Sequence, residues 1–135
     1  MNRIIILTAC ALGFTGVILG AFGAHALENL LTTDQLASYD TGVRYQLIHS
    51  LLLLFLGIED RLNKKRKKTI WLFLLIGIIL FSGSIYGLVT NEYTSFDFKK
   101  IALITPLGGS LLIFAWLLIF ISYYSKTKKT TNNQP

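Results

Sequence analysis

Two histidines interrupt otherwise apolar stretches of this chain, His25 in "GAFGAHAL" (20–27) and His49 in "YQLIHSLLLL" (45–54). An imidazole in such surroundings can carry a proton, ligate a metal or bridge two polar groups. Other polar side chains join them from apolar runs: Arg44, Tyr45 and Gln46 just before His49, Ser82 and Ser84 in "FSGSIY", and Thr105 in "LITPLGG". Polar residues are expensive in hydrocarbon and mark either a function or a helix contact. Three kinds of chemistry suit the set. His25, Arg44, Tyr45, Gln46, His49, Ser82, Ser84 and Thr105 could line a pocket for a small solute or ion, with Arg44 meeting an anion. Alternatively, the same groups hydrogen-bond one another across helices and only dock them, as in an assembly or lipid-organising protein. As a second alternative, the two histidines could serve as axial ligands of a haem or hold copper. Two residues are a thin ligand set, Cys10 and Met1 lie toward the other end of their run, and no metal or cofactor is assigned. A nucleophile beside a base, an H-E-x-x-H motif, a phosphate-cradling loop and a close carboxylate pair in an apolar run are all lacking, so the chain reads as no enzyme.

The elements that must position these residues follow from composition and patterning. Of 135 residues 53% are hydrophobic and 15% charged, a membrane composition with a mean hydropathy of +0.56. Four apolar runs, about 4–27, 41–58, 69–90 and 101–124, contain no charge except Arg44. A span needs about 20 apolar residues, so the second run is near the short limit. The expected fold is all-α, a four-helix transmembrane bundle forming one domain over 1–125, followed by a disordered basic polar tail over 126–135. "AHA" at 24–26 resembles a signal-peptidase box, but the apolar core before it exceeds the ~7 to 15 residues of a leader, so helix one is expected to stay attached. "LTAC" at 7–10 resembles a lipoprotein box with too few apolar residues ahead of it. Cys10, the single cysteine, is expected as a small core residue.

Charge sets the orientation. With the N-terminus inside, all 13 Lys and Arg except Arg44, Lys99 and Lys100 fall on the cytoplasmic side, which predicts that both termini are cytoplasmic. Glu28, Asp34, Asp40, Glu92 and Asp97 then lie outside. "KKRKK" serves as a topology signal, with contact to anionic lipid as its second use. No folded basic surface suited to nucleic acid is evident.

Depth along the helices predicts that the polar motifs share the outer half. If helix one exits near Leu31 and helix two enters near Thr41, His25 and His49 lie ~9 and ~12 Å below the outer face. Ser82 and Ser84 lie ~9 to 12 Å from Thr90, and Thr105 lies ~8 Å into helix four. At 100° per residue Gly42, Tyr45, Gln46 and His49 share a face of helix two, with Asp40 and Arg44 as an i, i+4 pair behind. Gly13, Gly16, Gly20 and Gly23 make a groove along helix one, and Gly83 and Gly87 repeat the GxxxG spacing. These faces suit close helix packing and an oligomer. Pro106, with Gly108 and Gly109, predicts a kink in helix four. Tyr45 and Tyr86 suit the aromatic belt.

"GAFGAHAL", "YQLIHSLLLL", "FSGSIY" and "ITPLGGSLLIFAW", in this order on four spans, resemble the bacterial membrane proteins of domain of unknown function 423, whose eukaryotic relative is transmembrane protein 256. The resemblance covers the chain apart from the tail and implies a small four-helix protein of the bacterial inner membrane with no assigned activity. The chain departs from the family pattern at Ala26, where glycine commonly follows the histidine, and in a longer, more basic middle loop and tail. Residues and resemblance together give the expected function: a multi-pass inner-membrane protein in the lipid bilayer, forming a homo-oligomer that binds or passes a small solute or ion through an outer-half polar cluster. Helix docking alone is the alternative.

Overall fold

The computed structural model describes residues 1–94, 97–98 and 103–131. Among them are four helices long and apolar enough to cross a membrane: α1 (Asn2–His25), α2 (Thr33–Ile58), α3 (Lys64–Val89) and α4 (Ile104–Thr131). No strand occurs among the described residues.

The helix ends differ from the expected ones for local reasons. α1 stops at His25, and a turn over 26–31 leads to Thr32. There the Thr32 hydroxyl accepts from the Gln35 backbone N–H at 3.3 Å, while the Gln35 side chain accepts from the Thr32 N–H at 2.8 Å. This capping box starts α2 eight residues before Thr41, because it satisfies end groups that the apolar run alone does not. Asn63 caps α3 by accepting from the Arg66 N–H at 2.9 Å. α3 contains one π-helical turn, Ile79–Gly83. α4 starts at Ile104, so Pro106 sits in its first turn, where a missing N–H breaks no intrahelical bond, and the expected interior kink has no cause. Beyond the expected boundary at 125 the backbone of α4 stays helical to Thr131, and 132–135 lie outside the described residues.

α1 packs along α2 and α4 along α3, with α2 and α3 in the middle. Only 17% of the most apolar window is buried in α1 and in α4, against 44% in α2 and 33% in α3. The outward Ile4, Leu7, Phe14 and Val17 of α1, and Ile113, Phe114 and Phe120 of α4, are therefore lipid-facing surface rather than misplaced core. Cys10 also lies on the exposed side and is not the core residue expected. Ile5, Leu53, Leu56, Ile70 and Leu74 fill the core nearest the turn between α2 and α3. Tyr39, Val43 and Val89 close the other end over Leu27 and Leu31.

Candidate functional site

α1 and α2 run antiparallel in a register set by glycines. A Cβ on Gly23 would meet the Tyr39 ring at 2.6 Å, on Gly16 the Leu47 side chain at 2.8 Å, and on Gly20 Val43 at 3.3 Å; Gly13 faces Ser50 at an ordinary 3.5 Å. The glycine groove of α1 is thus filled by α2 of the same chain, and is not the free face that an oligomer was expected to use. Gly57 against Ile6 extends the seam. In this register His49 is level with about residue 14 of α1, which leaves His25 ~16 Å away along the axis. The expectation of two histidines at similar depth fails because α1 ends early and α2 starts early. His25 is exposed at the end of α1, His49 is buried, and they cannot share a metal or a haem iron. Among the described residues no three His, Cys, Asp or Glu converge.

Gln46 is 4% exposed and every polar part of it is engaged. Its amide donates to the Leu12 carbonyl at 2.9 Å and to the Thr15 hydroxyl at 3.0 Å, and its oxygen accepts from the Tyr86 hydroxyl at 3.0 Å. One side chain therefore ties α1, α2 and α3 together. One turn on, His49 Nδ1 lies 2.7 Å from the Tyr45 carbonyl, and Trp116 Nε1–H donates to Nε2 at 3.3 Å. A carbonyl only accepts and an indole only donates, so these partners select the neutral imidazole with its proton on Nδ1. Neither ring nitrogen remains for a ligand.

The serines behave alike. Ser82, 1% exposed, donates to the Gly42 carbonyl of α2 at 2.8 Å. The Ser84 and Thr105 hydroxyls are 2.7 Å apart and join α3 to the first turn of α4. Arg44 is exposed and makes no ion pair among the described residues, with Asp40 or otherwise. Tyr45 is 40% exposed, with its ring 4.6 Å from Phe81 and 5.8 Å from the His49 ring. Beside it a cavity of ≈ 370 Å³ opens between α2 and α4, lined by Tyr45, His49, Phe81, Gly109, Leu112, Ile113 and Trp116. The structure thus brings Gln46, Tyr45 and His49 together, sets Ser82 one contact away and Ser84 with Thr105 at the helix end, and leaves His25 and Arg44 outside.

Several residues of the network are absent from the expected set. The Tyr39 hydroxyl donates to the Leu19 carbonyl at 2.9 Å, and Tyr86, expected in the interfacial belt, serves Gln46 instead. Trp71 donates to the Thr8 hydroxyl at 3.3 Å. Tyr39 continues the stripe of Gly42, Gln46 and His49 one turn earlier, and "TTDQ" is the capping signal that would have placed it on the helix. Gly108 is the closest of the packing glycines: a Cβ there would come 2.4 Å from the Phe81 backbone nitrogen, in the π-helical turn. Gly87 faces Phe98, and a Cβ on Gly109 would meet the Phe81 ring at an ordinary 3.5 Å. A Cβ on Gly83 would meet nothing within 4 Å among the described residues, whereas one on Gly42 or Gly77, neither of them expected, would come 2.9 Å from the Tyr86 ring and 2.6 Å from the Leu112 side chain.

Comparison with known proteins gives one consistent result. The family model "Protein of unknown function (DUF423)" matches residues 19–109. A UPF0382 membrane protein of Haemophilus influenzae is 36% identical over 127 residues, covering 93% of this chain and 98% of its own. The UPF0382 inner membrane protein YgdD of Escherichia coli K12 is 30% identical over 138 residues, covering 98% of each. A UPF0382 membrane protein of Staphylococcus saprophyticus is 37% identical over 105 residues, 78% of this chain and 83% of its own. No solved structure matches.

Proposed function

Given that this chain belongs to the DUF423 family of proteins of unknown function, we propose that it is a structural protein of the bacterial inner membrane, the location in the name of its Escherichia coli relative. On this proposal the intramembrane polar residues dock four spans in one register, both termini face the cytoplasm, and no reaction is catalysed. The observation that carries it is the complete use of Gln46 and His49, two buried polar groups expected in a solute site, by partners on α1, α3 and α4 and by the backbone. A native mass spectrum of the protein released from mild detergent tests it. The docking proposal expects no stoichiometric non-lipid mass in the wild type and a less heat-stable but otherwise equal His49→Ala variant. A bound non-lipid mass that disappears in His49→Ala overturns it. A reporter fused after Pro135 is expected to signal from the cytoplasm, and a periplasmic signal reverses the orientation.

The second reading, binding or passage of a small solute or ion by an oligomer, is favoured by the cavity beside Tyr45, His49 and Trp116. It needs the His49–Trp116 bond to open. The same mass spectrum gives the subunit number on which that reading depends.

A further inference from the structure

At the end of the bundle where α2 passes into α3, a groove of ≈ 370 Å³ runs between α3 and α4. It is remote from the hydrogen-bonded interior, and the inference from it goes beyond the docking proposal. Asn63, Lys65 and Arg66 line its polar end, and Ile70, Leu118 and Ile121 its apolar length. Two further lining groups are already spent. The Ser122 hydroxyl donates to the Leu118 carbonyl at 2.6 Å, and that of Thr69 to the Lys65 carbonyl at 3.2 Å. The polar chemistry on offer is therefore cationic, with the Asn63 amide N–H₂ beside it, since Asn63 Oδ1 already accepts from the Arg66 backbone.

Among the described residues no carboxylate lines the groove. The two acids of this end are engaged elsewhere: Glu59 accepts from the Arg61 N–H at 2.6 Å, and Asp60 faces Asn2 at 3.2 Å and Lys67 at 3.8 Å. Lys67 itself, 3% exposed, donates to Asn2 at 3.1 Å and belongs to that contact. Lys65 and Arg66 are exposed and make no ion pair among the described residues.

A ligand with an anionic head and a hydrocarbon tail matches a surface that is cationic at the membrane edge and apolar toward the interior. Basic pockets between spans are the general form of phospholipid head-group sites. We propose that this α3–α4 groove binds one anionic phospholipid, its phosphate against Lys65 and Arg66 and an acyl chain along Ile70, Leu118 and Ile121.

The test titrates the full-length protein in mild detergent with phosphatidylglycerol, with phosphatidylcholine of the same chains and with inorganic phosphate, and reads bound lipid by native mass spectrometry. One phosphatidylglycerol per chain is expected to saturate, with phosphatidylcholine and phosphate at least about tenfold weaker. A Lys65→Gln/Arg66→Gln double variant should bind on the order of twentyfold more weakly, roughly fivefold for each cation. The control, Lys64→Gln/Lys68→Gln, removes the same charge from residues that do not line the groove and should stay within about twofold of wild type. All four side chains are exposed, so unchanged thermal unfolding is expected to confirm intact folding. Equal losses in the two doubles would reduce the effect to loop charge and overturn the site. Equal binding of phosphatidylcholine would make the groove merely apolar, and tight binding of inorganic phosphate would make the ligand a soluble anion; either result overturns it.

Discussion

At the scale of single residues, the fold depends on polar side chains that have no water to fall back on. In lipid the apolar surfaces of helices gain little by leaving hydrocarbon, so hydrogen bonds and close packing carry specificity, at about 0.6 to 1 kcal/mol per bond. Gln46 makes three such bonds to two other helices. Gln46→Leu keeps most of the volume and is expected to cost about 2 kcal/mol, against about 1 for Trp116→Phe, which removes a single donor from His49. Thermal unfolding in one detergent ranks the two, and equal midpoints would show that Gln46 is not the main tie. That Gln46 and His49 matter was legible in the sequence, because a polar residue within an apolar run is conspicuous. Their partners were not: Leu12, Thr15, Tyr86 and Trp116 lie in other helices, and three of the four are ordinary aromatics or a backbone carbonyl.

Elements meet here through glycine, and the quality of each meeting is unequal. Gly108 lets α4 touch the backbone of the π-helical turn of α3, which cannot swing aside as a side chain can. Gly108→Ala is therefore expected to cost at least about 3 kcal/mol, the upper part of the usual range for overpacking. Gly83→Ala adds its methyl to open space and should be neutral or stabilise by up to about 1 kcal/mol, since alanine favours helix over glycine. Unfolding midpoints that moved alike in both variants would refute the distinction. The two residues look the same in sequence, each in a small-residue cluster of an apolar run. Only the partner atom distinguishes them. Pro106 gives the same lesson in reverse, since its effect depends on where α4 begins, and the apolar pattern leaves that start uncertain by a turn.

For the whole molecule, the α2–α3 turn links the ends of all four helices and adds a pH dependence. The Tyr123 hydroxyl, then the Arg61 N–H, hold the Glu59 carboxyl below its ordinary value of 4.5, helped by the charges of Arg61 and Lys67 and opposed by desolvation. A carboxyl with a lowered folded pKa stabilises the fold fully above its unfolded value and loses that contribution as pH falls through the folded one. The unfolding midpoint is thus expected to drop as pH falls below the ordinary carboxyl value of 4.5, and Glu59→Gln should flatten that part of the profile. An identical slope in both proteins would exclude Glu59 as its source. The Arg61 side chain, 4.0 Å away and largely exposed, contributes little to this.

By itself the sequence determined the class: four apolar runs of membrane length with Arg44 as their single charge, a basic middle loop, and the order of motifs that marks the family. Those features are local or compositional, and a bilayer reads them one helix at a time. Tertiary structure alone decided that the two histidines stand at different depths, that the glycine groove of α1 is filled from within the chain, and that the polar motifs meet one another instead of a common cavity. The physical reason is that axial register between antiparallel helices depends on where each helix starts and which side chain seats against which glycine. A shift of two turns at the Thr32 cap moves His49 by ~11 Å relative to the expected depth without changing the hydrophobic pattern at all.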